Sequence, residues 1–380
     1  MTRDNQTMNK RRLLEAIIGS LIVVAVALVS AEIKAEVELP EGDIKTAADW
    51  EDYEKKLSVR CLGPFVTISK PREINISGRT FVIYGYKLVE KGGRANQAIR
   101  IGVVSTSKDT TEETKHNLRG FTDWFKSENV SAIVMGGDIS DKASGVKEML
   151  EILAMSGLPV YAVMGNNDIR GEFNSGVKSL REKYPNVFNM NLVRMVDAVG
   201  YDIISLPGYY DPQYTASRNT CVYTDSDISA MARLVKESND PIILLSHGPP
   251  KDKGKEGIDF ATAGANVGDE RITKFISEQK IPFGVFGHII EAGGKATLLE
   301  GKKPIAEGAW SERFYLNPGS SSAVYWGLND GRTSVGMAAI LEIQGKKGRY
   351  FIKNIDAAEH KKYLEKSDAK ELEELKGLEP

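Results

Sequence analysis

Apolar residues along this chain fall into two rhythms. Short unbroken runs recur at Ile101–Val104, Ala132–Met135, Pro159–Met164, Pro241–Leu245 and Pro282–Phe286. Runs this short and this apolar predict strands buried on both faces of an α/β sheet. Between them, apolar residues return at helical spacing: Leu118, Phe121 and Phe125; Val146, Met149, Leu150 and Leu153; Ile228, Met231 and Val235; Ile272, Phe275 and Ile276. These stripes are the core faces of helices. Thr110 with Glu113 is read as a capping box for the first helix, and Asn129 as its stop. Asn186 to Pro207 and Arg313 to Ile343 hold short strands with Gly and Asn turns, and are expected in a second sheet.

Upstream the pattern differs. Met1 to Arg12 is polar and basic, and Leu13 to Ala31 is apolar apart from Glu15, Gly19, Ser20 and Ser30. A stretch of about 19 residues is just long enough to cross a bilayer. The positive flank before it predicts an N-terminus kept inside and a main domain outside the cytoplasm. Val29-Ser30-Ala31 also resembles a signal-peptidase site, Glu15 allows a pilin-like helix, and a buried soluble helix is a further reading. The reading adopted is an uncleaved single-pass anchor in the cell membrane.

Glu32 to Lys56 is an acidic spacer, expected to turn helical around 47–57. Phe65–Ile68, Ile74–Ile76 and Thr80–Tyr84 then read as strands, with turns at Gly63-Pro64 and Ser77-Gly78. Together they predict a small β module packed on the main domain and joined to it through Lys91-Gly92-Gly93-Arg94. The domain division is therefore 1–31 cytoplasmic tip and anchor, 32–98 spacer and β module, 99–356 main domain, and 357–380 a charged, exposed helical tail.

Composition adds mostly exclusions. A formal charge of −2 over 380 residues leaves no basic footprint for nucleic acid. The two cysteines, Cys61 and Cys221, allow a disulfide tying the module to the main domain if the chain is exported, or no pairing at all.

The chemistry lies where the apolar runs end. Ala132–Met135 runs into Gly136-Gly137-Asp138, and Pro159–Met164 into Gly165-Asn166-Asn167-Asp168. Pro241–Leu245 runs into Ser246-His247-Gly248-Pro249-Pro250, and Pro282–Phe286 into Gly287-His288-Ile289-Ile290-Glu291. The chain has four histidines, and two of them close such runs. Two imidazoles with an Asp and an Asn at sister strand ends are the donor types of one metal centre. Their donor atoms are expected roughly 3–4 Å apart.

These motifs, with Asn317-Pro318-Gly319-Ser320, resemble the calcineurin-like metallophosphoesterase superfamily over roughly 99–355. The resemblance implies an α/β fold: a two-sheet β-sandwich flanked by helices, here preceded by the transmembrane helix and the β module. It implies Asp138, Asn166, His247 and His288 as ligands of the second of two metals. The family's first motif, Asp-x-His, is replaced by Thr106 and Lys108, and Ile290 stands for the second histidine of Gly-His-x-His. All three losses fall on the first metal. About one divalent ion per chain (Mn, Fe, Zn or similar) is therefore expected.

Asn167, Asp168 and Lys108 are the candidate catalytic residues. Lys108 either fills the vacated space and neutralises Asp138 or points to solvent. Asp109 is the one neighbour able to swing in as a substitute ligand. Lys251, Lys253 and Lys255 could meet an anionic substrate, and Tyr209, Tyr210 and Tyr214 could line the cleft. The expected function is a membrane-anchored hydrolase that cleaves a phosphorylated small molecule weakly. The alternative is a catalytically inactive binding or scaffold protein, part of a surface assembly.

Overall fold

The structure, a computed structural model, describes residues 61–92 and 97–376. The expected span Leu13–Ala31, the spacer, and Gly93-Arg94 of the linker lie outside the described residues. Among the described residues no helix is long and apolar enough to cross a membrane.

The chain enters on three antiparallel strands, β1 (Thr67–Ile76), β2 (Arg79–Gly85) and β3 (Lys87–Lys91). Ser77 and Gly78, joining β1 to β2, both have positive φ, as a two-residue type I′ hairpin turn requires. Three strand–helix units follow: β4 (Ile99–Val104) with α1 (Glu112–Ser127), β5 (Ala132–Met135) with α2 (Ala143–Ala154), and β6 (Val160–Ala162) with α3 (Arg170–Arg181). They close on β7 (Val187–Asn189). The hairpin β8 (Met195–Ala198) and β9 (Tyr201–Leu206) leads to α4 (Asp225–Ala230), α5 (Ala232–Glu237) and β10 (Ile242–Ser246). Then come α6 (Glu270–Gln279), β11 (Phe283–Val285), β12 (Lys295–Thr297) and β13 (Phe314–Asn317). A second hairpin, β14 (Met337–Gln344) and β15 (Lys347–Asn354), and α7 (Ala357–Lys376) complete the described chain.

These strands form two sheets. One has six strands in the order β15-β14-β4-β5-β6-β7, and the other has nine in the order β1-β2-β3-β8-β9-β10-β11-β13-β12. Val103, Val134, Tyr161, Phe188 and Leu341 from the first meet Ile203, Leu245, Phe283 and Phe314 from the second in one buried core. Burying a side chain of this size contributes about 1.5–3 kcal/mol. Helices α1, α2 and α3 cover the outer face of the six-stranded sheet, where Leu118, Phe121, Met149, Leu153 and Phe173 are buried. Ile228, Leu234, Ile272 and Phe275 of α4–α6 cover the other. The result is a two-sheet sandwich flanked by helices.

Several elements differ from the sequence expectation. The β module is continuous with the nine-stranded sheet, because β3 pairs parallel with β8. Met337–Gln344 does not join the second sheet: β14 pairs antiparallel with β4 in the first, between β4 and the edge strand β15. The cap of α1 is Thr111, whose side chain accepts from Thr114 N, one residue later than the expected Thr110 box. The capping box occurs instead at Thr224 and Asp227 of α4. The tail helix is not wholly exposed: His360 is buried, and Tyr363 stacks on His116 of α1 at 3.7 Å.

Candidate metal centre

Five parallel strands place their carboxyl ends together, β4, β5 and β6 from one sheet and β10 and β11 from the other. The loops leaving them are stitched by backbone bonds. Thr106 N donates to Gly137 O at 2.8 Å, Lys108 N to Asp138 O at 2.9 Å, and Gly287 N to His247 O at 2.9 Å. Gly137 has φ +90°, and a Cβ there would meet Gly165 N at 2.6 Å, so only glycine lets the β5 and β6 loops approach this closely. Thr106, Lys108, Asp138 and His288 are all left-handed, with φ between 56° and 68°. Each such non-glycine residue costs on the order of 1 kcal/mol, and strain of this kind gathers at working sites.

The four expected ligands converge. His247 Nε2 lies 2.9 Å from Asn166 Oδ1 and 3.3 Å from Asp138 Oδ1. His288 Nδ1 lies 2.9 Å from the same Asn166 oxygen. Asn166 Nδ2 donates to Tyr214 O, which fixes the amide with its oxygen inward. His247 Nδ1 faces Gly136 O at 2.7 Å and so carries a proton, turning Nε2 toward the other donors. Burial alone would lower the His247 pKa, but the charge of Asp138 and the bonds to Asp138 and Gly136 O raise it. Burial pushes Asp138 up, yet His247 and Lys108 outweigh that and hold its carboxyl well below the usual range. Burial and then the neighbouring His247 push His288 down to about 3, so it is neutral near pH 7.

Two donors on one ion at bonds of about 2.1 Å and cis angles lie roughly 3.0–3.4 Å apart. The observed separations match that spacing, and a set of two imidazoles, one carboxylate and one amide oxygen suits Mn, Fe or Zn. The residues fit a divalent ion. Among the described residues no cluster of three or more His, Cys, Asp or Glu side chains is gathered for a metal, and here the central donor is the amide Asn166.

The candidate catalytic residues fare differently. Lys108 Nζ lies 3.9 Å from Asp138 Oδ2 and is 40% exposed, so it reaches the carboxylate while touching solvent. Asn167 holds Asp138 from two sides, through its backbone N at 2.9 Å and Nδ2 at 2.6 Å, and positions that carboxylate. Asp168 is not placed to react. It is fully buried and accepts four backbone N–H groups, from Asp138, Ile139, Ser140 and Gly165. Burial and the charge of Asp138 push its pKa up, opposed by those amides. Asp109 is likewise unavailable as a substitute ligand: Thr111 N and Oγ1 donate to one oxygen and Ser322 Oγ to the other.

At the positions of the first metal, Thr106 is buried with Oγ1 3.1 Å from Ser105 Oγ. Ile290 is buried in a short 3₁₀ turn (Ile290–Ala292) and offers no donor. Ser320 Oγ and Ser321 Oγ donate to Thr106 O and Ser105 O, anchoring this loop from below Asn317-Pro318-Gly319.

The tyrosine segment does wall the cleft. The Tyr209 ring lies 4.1 Å from His288, and Tyr214 stands edge-on to Tyr209. The disulfide between Cys61 and Cys221 closes the end of this segment, where Tyr209 N donates to Cys221 O. Lys251, in contrast, pairs with Glu270 on the surface.

The sequence pattern of the calcineurin-like phosphoesterase family matches residues 108–292, which contain all four converging donors. Residues 108–292 belong to the calcineurin-like metallophosphoesterase superfamily. A solved structure 13% identical to the protein aligns over 68% of this chain and 99% of its own, with a TM-score of 0.51, and shares the fold of that part of the chain. The protein TT1561 of Thermus thermophilus is 15% identical over 68% of this chain and 99% of its own, at a TM-score of 0.49. A dimetal phosphatase from Danio rerio is 11% identical over 67% of this chain and 98% of its own, at 0.41. No curated protein matches the chain. Thr106, just before the matched residues, and Lys108 and Ile290 within them stand where the sequence resemblance implies an aspartate and two histidines.

Proposed function

We propose that this protein is a metal-dependent phosphoester hydrolase of low turnover, working with one divalent ion held by Asp138, Asn166, His247 and His288. The observation that carries the reading is the spacing of those donors, 2.9 to 3.3 Å, beside an ammonium 3.9 Å from Asp138. A bound ion would supply Lewis-acid polarisation of a phosphoryl oxygen. Lys108 adds a positive charge on the side the first metal would have occupied, where it can meet a phosphoryl oxygen and neutralise Asp138. The buried Tyr209 ring covers His288 on one side. Nothing among Thr106, Lys108 and Ile290 supplies the second set of ligands that generates a bridging nucleophile, so turnover is expected to be slow.

The test compares hydrolysis of a generic phosphodiester by the parent and by a Thr106→Asp, Lys108→His, Ile290→His variant. The expected result is a slow, metal-dependent parent rate and a higher rate in the variant. A parent as fast as the variant would refute the one-ion reading.

One observation favours a second reading, a non-catalytic binding protein of the same fold. Without an ion the donors satisfy one another: Asp138 is bound by Asn167, His247 and Lys108, and both imidazoles bond Asn166. A parent that hydrolyses nothing while still folding would favour it.

We also propose that the domain lies outside the cytoplasm, tethered by Leu13–Ala31. The basic residues preceding that stretch and the Cys61–Cys221 disulfide support this, because disulfides persist in oxidising compartments. Protein recovered from cells with thiols trapped at lysis should show both cysteines blocked by their disulfide. Freely alkylated cysteines would contradict the placement.

A further inference from the structure

A cavity of about 390 Å³ opens beside the metal centre, between the loop after β4 and the loop after β5. We propose that it receives the alcohol portion of the substrate, and that this alcohol is a neutral polyol or sugar. The inference rests on the phosphoester reading of the metal centre and extends it to a substrate class.

Lys108 connects the two spaces. It lines the cavity, and its Nζ lies 3.9 Å from Asp138 Oδ2. Ser140 and Asp141, two and three residues after Asp138, form the opposite wall with Lys142 and Ser144. A phosphoryl group at the metal centre therefore has its ester substituent directed past Lys108, between these loops.

The lining selects the substituent. Among the described residues no aliphatic or aromatic side chain faces the cavity, which is the reverse of the apolar pockets that hold acyl or aryl groups. Its walls instead carry hydroxyls from Thr110, Ser140 and Ser144, that of Thr111 being taken up by Asp109 and the cap of α1. The charges are mixed, so a further phosphate is not favoured either. Asp109 is consumed by Thr111 and Ser322, Glu148 by Lys115, and Lys108 by Asp138, which leaves Asp141 against Lys142. Closely spaced donors and acceptors of both signs match a ligand whose every carbon carries a hydroxyl. Such a ligand both gives and takes hydrogen bonds, so it can use Asp141 as acceptor and Lys142 as donor.

The test is equilibrium binding, by calorimetry, of myo-inositol 1-phosphate and of phenyl phosphate to the full chain loaded with Mn²⁺. Parent and Ser144→Leu proteins are compared; the Ser144 side chain lies at the cavity wall rather than in the core, so its substitution spares the fold. The parent should bind the inositol ester roughly tenfold more tightly than the phenyl ester, about the worth of one well-placed hydrogen bond. Ser144→Leu should erase that preference, chiefly by weakening the binding of the inositol ester. Equal affinities in the parent, or a preference untouched by Ser144→Leu, would overturn the cavity assignment alone. If neither ester binds, the phosphoester reading fails and the inference falls with it.

Discussion

Two buried carboxylates thirty residues apart, Asp138 and Asp168, do opposite things at this centre. Asp138 faces His247, Asn167 and Lys108, all side chains of the cleft. Asp168 faces four backbone amides and holds the β5 and β6 loops against each other. Asp168→Ala orphans those amides, each costing about 1–3 kcal/mol when buried unpaired. The variant should lose roughly 3–5 kcal/mol, part of the sum being recovered by relaxation and water. Asp138→Asn should stay folded, since an amide can still accept from Asn167, but should lose the anionic metal donor. Urea denaturation of the two variants separates the roles. An Asp168→Ala protein as stable as the parent would return Asp168 to the list of catalytic candidates. In the sequence these aspartates look alike, because each simply follows a strand, and only the direction of the side chain tells them apart.

At the scale of elements, the strands that carry the centre were legible because each is a short apolar run ended by a turn and a donor residue. β5, β6, β10 and β11 are of this kind. The helices were legible from their apolar stripes, and Asn129 does end α1 in the left-handed conformation expected of a stop. Sheet order was not legible. Nothing in the periodicity of Met337–Gln344 says that it pairs with β4, and nothing in Lys87–Lys91 says that it pairs with β8. Such pairings are fixed by side-chain fit across distant segments rather than by any local pattern. The shift of the α1 cap from Thr110 to Thr111 belongs to the same class, since Asp109 accepts from Thr111 N and Oγ1 and so sets where the helix begins. That single Asx bond also removes Asp109 from the cleft, which neighbouring position in sequence could not reveal.

At the scale of the molecule, the centre is shared between the two sheets. The six-stranded sheet brings Lys108, Asp138 and Asn166, while the nine-stranded sheet brings His247 and His288. Their spacing is therefore set by the core packed between the sheets, and an ion binding all four donors would clamp one sheet to the other. An ion that binds only the folded state also stabilises it, by about 2.7 kcal/mol at a hundred times its dissociation constant. The most direct measurement is the number of ions bound by the full chain after saturation with Mn²⁺ and removal of the excess, counted by elemental mass spectrometry. The account predicts about one ion per chain, falling to near none in His247→Ala. Two ions per chain, none, or one that survives His247→Ala would contradict it.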